Sequence, residues 1–231
     1  MTAPPLHNPR RPDAEQIAYW YFRLNGFLLT ENFYVHPRTR GGARTDADLL
    51  AVRFPHRAER LFDDPNDIMP DDTETLALTR ERIDVVIAEI KEGQCHLNGP
   101  WTDPSRENVQ RVLAAIGCVP HDRISDVAAA LYAQGFFDDG ALLRVRLVAV
   151  GRTLEQGISA NYPQVCQVTL EAALRFIYRR FQRYWRQKRD TQHWNASGRL
   201  LKQQAAKHHG REDDFIAWAV GMRPSASAQD G

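Results

Sequence analysis

The chain has 231 residues, enough for one domain with a substantial core and cramped for two. Hydrophobic residues make up 43% and charged residues 26%, with a formal net charge of +1. The chain is therefore no polycation, and any grip on nucleic acid has to come from local positive potential. Three cysteines (Cys95, Cys118, Cys166) with no CxxC pair argue against a disulfide framework or a Cys-rich zinc site and fit a reducing compartment. No signal-peptide run opens the sequence and no stretch reaches about 18 uninterrupted apolar residues, so the expectation is a soluble, cytoplasmic protein without a membrane partner.

Residues 1–12, rich in Pro and Arg, and 224–231 read as disordered tails on a single domain over 13–222. Asp13 is a helix N-cap, and AEQIAYWYFRL runs to the Asn25-Gly26 stop with Ile17, Tyr21 and Leu24 facing the core. GFLLTENFYVH is a strand, and the loop RTRGGART leads into DLLAVRF, whose unbroken apolar run suits a strand buried on both faces. Residues 55–81 form an acidic insertion, partly helical near TETLALTRER. RIDVVIAEIKEG is the strongest strand of the chain.

After the turn NGPWTDP, helices are expected over about 104–117 and 122–135, then a strand at LLRVRLVAVG. QVCQVTL is a short last strand. A long basic helix, EAALRFIYRRFQRYWRQKR, and a final helix at REDDFIAWAVGM close the chain. The order is α-β-β-β-α-α-β-β-α-α, an α/β (α+β) sandwich with helices covering a central sheet.

Glu89-Ile90-Lys91 ends the strongest strand, and strand alternation puts Glu89 and Lys91 on one face with Ile90 on the other. A carboxylate and an amine at the end of a buried strand are costly unless they pair or bind something. Asp48 opens the preceding apolar strand. If the two strands are neighbours, Asp48 and Glu89 converge on one divalent cation, since Mg²⁺ takes a few carboxylates plus water and phosphate oxygens. Lys91 would then orient water or neutralise developing charge on a phosphate. The bland alternative is a solvated Glu89–Lys91 pair with Asp46 and Asp48 as loop polars.

In order along the chain, Glu15 in the first helix, RLNGF, the glycine loop, TDADLLAVRF and VVIAEIK resemble the PD-(D/E)xK nuclease superfamily, with its restriction endonuclease-like αβββαβ core. The resemblance covers residues 13–150 and leaves a basic C-terminal helical part over 170–222. It implies Asp48 and Glu89 as metal ligands, Lys91 as the catalytic lysine, Glu15 as the helix glutamate near the metal, and a Mg²⁺- or Mn²⁺-dependent endonuclease acting on DNA in preference to RNA. No proline precedes Asp48. The triplet is Asp46-Ala47-Asp48, so Asp46 is an alternative or additional ligand; Asp48 is favoured because it abuts the apolar run.

Two basic features fit a nucleic-acid partner. Arg40 and Arg44 flank Gly41-Gly42 just before Asp48, and Arg175, Arg179, Arg183 and Arg186 repeat along one face of the long helix, with Tyr178 or Trp185 available for stacking. The helix is equally readable as a solvated face paired with the acidic insertion. No separate recognition domain is visible, which leaves specificity to a homodimer or a partner protein. No GxxxxGK[ST] motif occurs, so nucleoside triphosphate hydrolysis is not expected.

Overall fold

The computed structural model describes residues 11–36, 45–59 and 68–222. Arg40, Arg44, nearly all of the N-terminal tail and the whole of the C-terminal one lie outside the described residues.

Helix α1 (Ala14–Leu24) starts where expected, with the Asp13 carboxylate accepting the N–H of Gln16, and it buries Ile17, Tyr21 and Leu24. Three strands follow, β1 (Leu28–Val35), β2 (Thr45–Arg53) and β3 (Ile83–Ile90), paired as an antiparallel meander. A short helix α2 (Gly99–Thr102), then α3 (Asn108–Ile116) and α4 (Ile124–Gln134), cross to a short β4 (Phe136–Asp138) and a long β5 (Leu143–Gly151). Strand β5 runs parallel to β3, with Glu89 beside Ala149. The chain ends through α5 (Gln156–Asn161), β6 (Cys166–Thr169), α6 (Leu170–Arg183), α7 (Ala196–Lys207) and α8 (Glu212–Val220).

The six-stranded mixed sheet has the order β1-β2-β3-β5-β4, and β4 and β6 share the outer edge of β5, one along its start and one along its end. The αβββαβ order is present in α1, β1–β3, the crossover helices and β5. One sheet face is covered by α1, α6, α7 and α8, which bury Leu49, Ala51, Val86 and Ala88. The other is covered by α2, α3 and α4, which bury Leu50, Ile87, Val145 and Leu147. Strands β2, β3 and β5 are buried on both sides for this reason.

The expected helical part of the insertion is not formed: residues 73–77 make hydrogen-bonded turns, and the Asp72 side chain accepts from Thr75 N–H. Strand β4 and helices α2, α5 and α7 add to the elements expected, α2 forming inside the segment read as a turn. Helix α7 packs closely because Gly198 has no side chain; a Cβ there would stand 1.9 Å from the Trp20 ring. No helix among the described residues is long and apolar enough to cross a membrane.

A group of charges is buried on the α1/α6 face, at the end where β3 begins. Asp84 accepts from Arg144 Nη2 and Arg146 Nη2, each at 2.7 Å, and Arg53 pairs with Asp71 at 2.8 Å. Arg180 of α6 reaches the same group through Pro70 O at 2.5 Å and Asp71 at 3.4 Å.

Candidate active site

The site grows out of a fault in the sheet. Residues four apart on a regular strand share a face, yet Leu29 and Ala51 pack toward α1 while Phe33 and Ala47 pack toward α3 and α4. The reversal falls between them, at Asn32 (φ 50°) on β1 and Asp48 on β2, which the pairing register places opposite each other. Asparagine tolerates this left-handed conformation better than most residues, and such local breaks re-aim side chains next to active sites.

On its other side β2 pairs with β3 as far as Leu49 opposite Ala88, so one further step sets Asp48 beside Glu89. There the pairing stops. The Asp48 carboxylate instead accepts the backbone N–H of Ile90 at 2.7 Å. Asp48 is half-buried and Asp46 exposed, opposite Tyr34.

Glu89 is 3% exposed. Its Oε1 accepts from Lys91 Nζ and Asn98 Nδ2, and its Oε2 accepts from the Trp101 indole N–H at 2.6 Å. Lys91 lies one residue beyond the strand, its backbone N–H bound to Val150 O at 2.9 Å, so it keeps the side of Glu89.

The next residue, Glu92, ties this strand end to α1: its carboxylate accepts the N–H of Ala14 at 2.9 Å. That contact and the Asp13 cap bring Glu15, in the first turn of α1, within electrostatic range of Asp48 and Asp46. The structure thus brings Asp48, Glu89 and Lys91 together at one edge, with Glu15, exposed on α1, and Asp46 outside their direct contacts.

The charges show what such a gathering costs. Burial raises the Glu15 carboxyl above its usual range, and Asp48, Asp13, Asp46 and Glu31 add to the rise. Burial also raises Asp48, against the pull of the Ile90 N–H and Lys91. Glu89 is raised by burial first, with Lys91 opposing and Asp48 adding. These are carboxylates crowded together with one lysine among them, and a divalent cation would relieve the repulsion.

Asp48 and Glu89 are hard oxygen donors of the kind Mg²⁺ and Mn²⁺ take alongside water and phosphate oxygens, so the residues present fit such an ion. Among the described residues, no group of three or more His, Cys, Asp or Glu side chains is arranged to hold a metal by itself.

Asn98 and Trp101 did not stand out in the sequence, where Asn98-Gly99-Pro100 is accounted for by turn formation and Trp101 by packing. Gly151 explains how they arrive. A Cβ on it would stand 2.5 Å from the Cys95 backbone nitrogen, and its absence lets residues 93–95 cross the end of β5, held by Arg152 N–H on Gly93 O and Cys95 N–H on Thr153 O. The chain then returns beneath β3 with Asn98 and Trp101 under Glu89.

The arginines of α6 lie elsewhere. Helix α6 starts next to Thr169, which pairs with Gly151 at the site's end of the sheet, and at 1.5 Å per residue Arg183 is about 20 Å further along. Arg175 pairs with Glu171, Glu212 and Asp213, and Arg179 with Glu212. Helix α6 ends at Arg183, short of the expected Arg189, because the Tyr184 C-cap opens a run of turns, so Arg186 lies beyond the helix. Arg183 and Arg186 stack over Tyr184 and Trp185. The alternative pairing with the insertion is made by Arg180 and Lys188, to Asp71 and Glu59. No family model, no curated protein and no solved structure matches this chain.

Proposed function

We propose that the chain is a cytoplasmic, divalent-cation-dependent nuclease of PD-(D/E)xK type that hydrolyses phosphodiester bonds of DNA. The observation that carries this reading is the meeting of Asp48, Glu89 and Lys91 where β2 parts from β3. Asp48 and Glu89 would hold a Mg²⁺ or Mn²⁺ ion, which when bound supplies Lewis-acid polarisation of the scissile phosphate. Lys91 would neutralise charge building on the phosphate oxygens, and Glu15 would order water on the side facing α1. Substrate would be gripped by Arg40 and Arg44, which precede Asp48 in the sequence, and by the arginines of and beyond α6 at the far end, with a second copy or a partner protein supplying specificity.

Purified protein should nick supercoiled plasmid with Mg²⁺ or Mn²⁺ and lose that activity with EDTA. It should fall to background in Asp48→Asn, Glu89→Gln and Lys91→Ala. Full activity in Asp48→Asn and Lys91→Ala would remove the assignment.

A second reading has one specific observation in its favour. Both oxygens of Glu89 already accept hydrogen bonds, and Lys91 is drawn onto Glu89 rather than outward. The fold would then serve as a non-catalytic nucleic-acid-binding or assembly subunit. Divalent cations raise the melting temperature under the first reading and leave it unchanged under the second.

A further inference from the structure

We infer that Trp101 and Asn98 form a fixed frame of neutral donors that holds Glu89 ready for a divalent cation, and that Lys91 is the donor the cation displaces. This rests on the cation reading above and adds two positioning residues and an exchange to it.

The three donors on Glu89 differ in kind. Trp101 is 1% exposed, its ring packed into the layer formed by α3 and α4, and its indole N–H reaches Oε2 at 2.6 Å. Asn98 is half-buried and is fixed to the same turn, since its carbonyl accepts the N–H of Trp101 at 2.9 Å. Asn108, itself buried, braces that turn through Pro100 O at 3.2 Å. Lys91 reaches Glu89 on a flexible stem, and its side chain is 33% exposed.

Charge separates them further. The indole and the amide stabilise an ionised Glu89 without neutralising it, so the carboxylate keeps its full attraction for a cation. The ammonium of Lys91 neutralises Glu89 and repels any second cation at Oε1. An ion entering between Asp48 and Glu89 therefore competes with Lys91 and not with Trp101 or Asn98. Once displaced, the lysine is free to turn toward a bound phosphate. Uptake of the ion and release of the lysine become one event. The same arrangement explains why Glu89 is ordered while buried: neutral outer partners fix a metal-ligating carboxylate in orientation.

The test is Mn²⁺ binding by calorimetry on the full chain. Trp101→Phe and Asn98→Ala are expected to weaken Mn²⁺ about 10- to 100-fold, the usual effect of losing such a partner. Lys91→Met is expected to bind Mn²⁺ at least as tightly as wild type while losing plasmid nicking. Of the five indole N–H signals in an ¹H–¹⁵N spectrum, the one missing in Trp101→Phe should move on adding Mg²⁺ and in Glu89→Gln.

Wild-type affinity in a folded Trp101→Phe overturns the frame, and if that variant does not fold, wild-type affinity in Asn98→Ala does so. A tenfold loss in Lys91→Met overturns the exchange. A wild-type protein that takes up no Mn²⁺ overturns the cation reading itself, and the frame with it.

Discussion

Asp48 accepts the backbone N–H of Ile90 at 2.7 Å, in the place where the next rung between β2 and β3 would otherwise form. One side chain thereby does two jobs: it closes the parted strands and turns a carboxylate toward Glu89. The two jobs separate by substitution. Asp48→Asn keeps an acceptor for Ile90 and should unfold within about 1 kcal/mol of wild type in urea while losing cation-dependent nicking. Asp48→Ala leaves a buried N–H unpaired and should lose about 1–3 kcal/mol as well. Equal stability of the two variants would show that the Ile90 contact does not hold the strands.

The crossing at Gly151 makes the donors under Glu89 depend on a residue in another strand. Gly151→Ala puts a methyl group 2.5 Å from the Cys95 backbone nitrogen, and backbone has no rotamer with which to step aside. Residues 93–95 must shift, at a cost of roughly 1–3 kcal/mol. Because that segment leads to Asn98 and Trp101, the variant should also weaken Mn²⁺ binding measured by calorimetry. A destabilised variant with wild-type Mn²⁺ affinity would show that the turn keeps its place on its own contacts.

The basic segment divides into a paired part on α6 and an exposed part at and just beyond its end. Arg175 and Arg179 join α6 to α8 through Glu212, so alanine at either should lower stability, by on the order of 1 kcal/mol, more than it lowers DNA affinity. Arg183 and Arg186 carry no carboxylate partner among the described residues, and each contact with a DNA phosphate adds roughly one to the salt slope. Arg183→Ala with Arg186→Ala should therefore flatten the dependence of DNA binding on salt by about two, measured by fluorescence anisotropy from low to physiological salt. An unchanged slope would take this end of α6 out of the interface.

Much of this arrangement was legible in the sequence where chemistry is local. The Asp13 cap, the apolar runs of β2, β3 and β5, and the two-residue step from Glu89 to Lys91 all follow from periodicity, and α1, β2 and β3 stand where those signals put them. Asn98 and Trp101 could not be read because their partner is Glu89, and only the crossing at Gly151 folds them under it. Helix α7 was hidden for a related reason. ASGRLLKQQAAK has few apolar residues, and it docks by the smallness of Gly198 against Trp20 and by the Asn195 side chain, which accepts from both Gly198 N–H and the Trp20 indole. Helical periodicity weighs large side chains and is blind to close approach.

The two carboxylate groups at opposite ends of the sheet should give stability an opposite response to pH. Arg146 and Arg144 hold Asp84 below the usual carboxylate range despite its burial. Its contribution is therefore present above the unfolded value, about 3.9, and is lost as pH falls through the depressed folded value. Glu15, Asp48 and Glu89 are raised by burial, so their contribution is present below about 4 and is lost as pH rises through their folded values. Without divalent cations, stability should rise as pH is lowered from neutral toward the upper edge of the carboxylate range, then fall below about 4. Mg²⁺ should add stability at neutral pH, with a gain that shrinks as those three groups take up protons. Asp84→Asn removes the acid limb and leaves two buried arginines short of a counter-charge, a loss on the order of 3 kcal/mol at neutral pH. Urea melts across the pH range, with and without Mg²⁺, check each limb; a Mg²⁺ gain independent of pH would place the ion away from Glu15, Asp48 and Glu89.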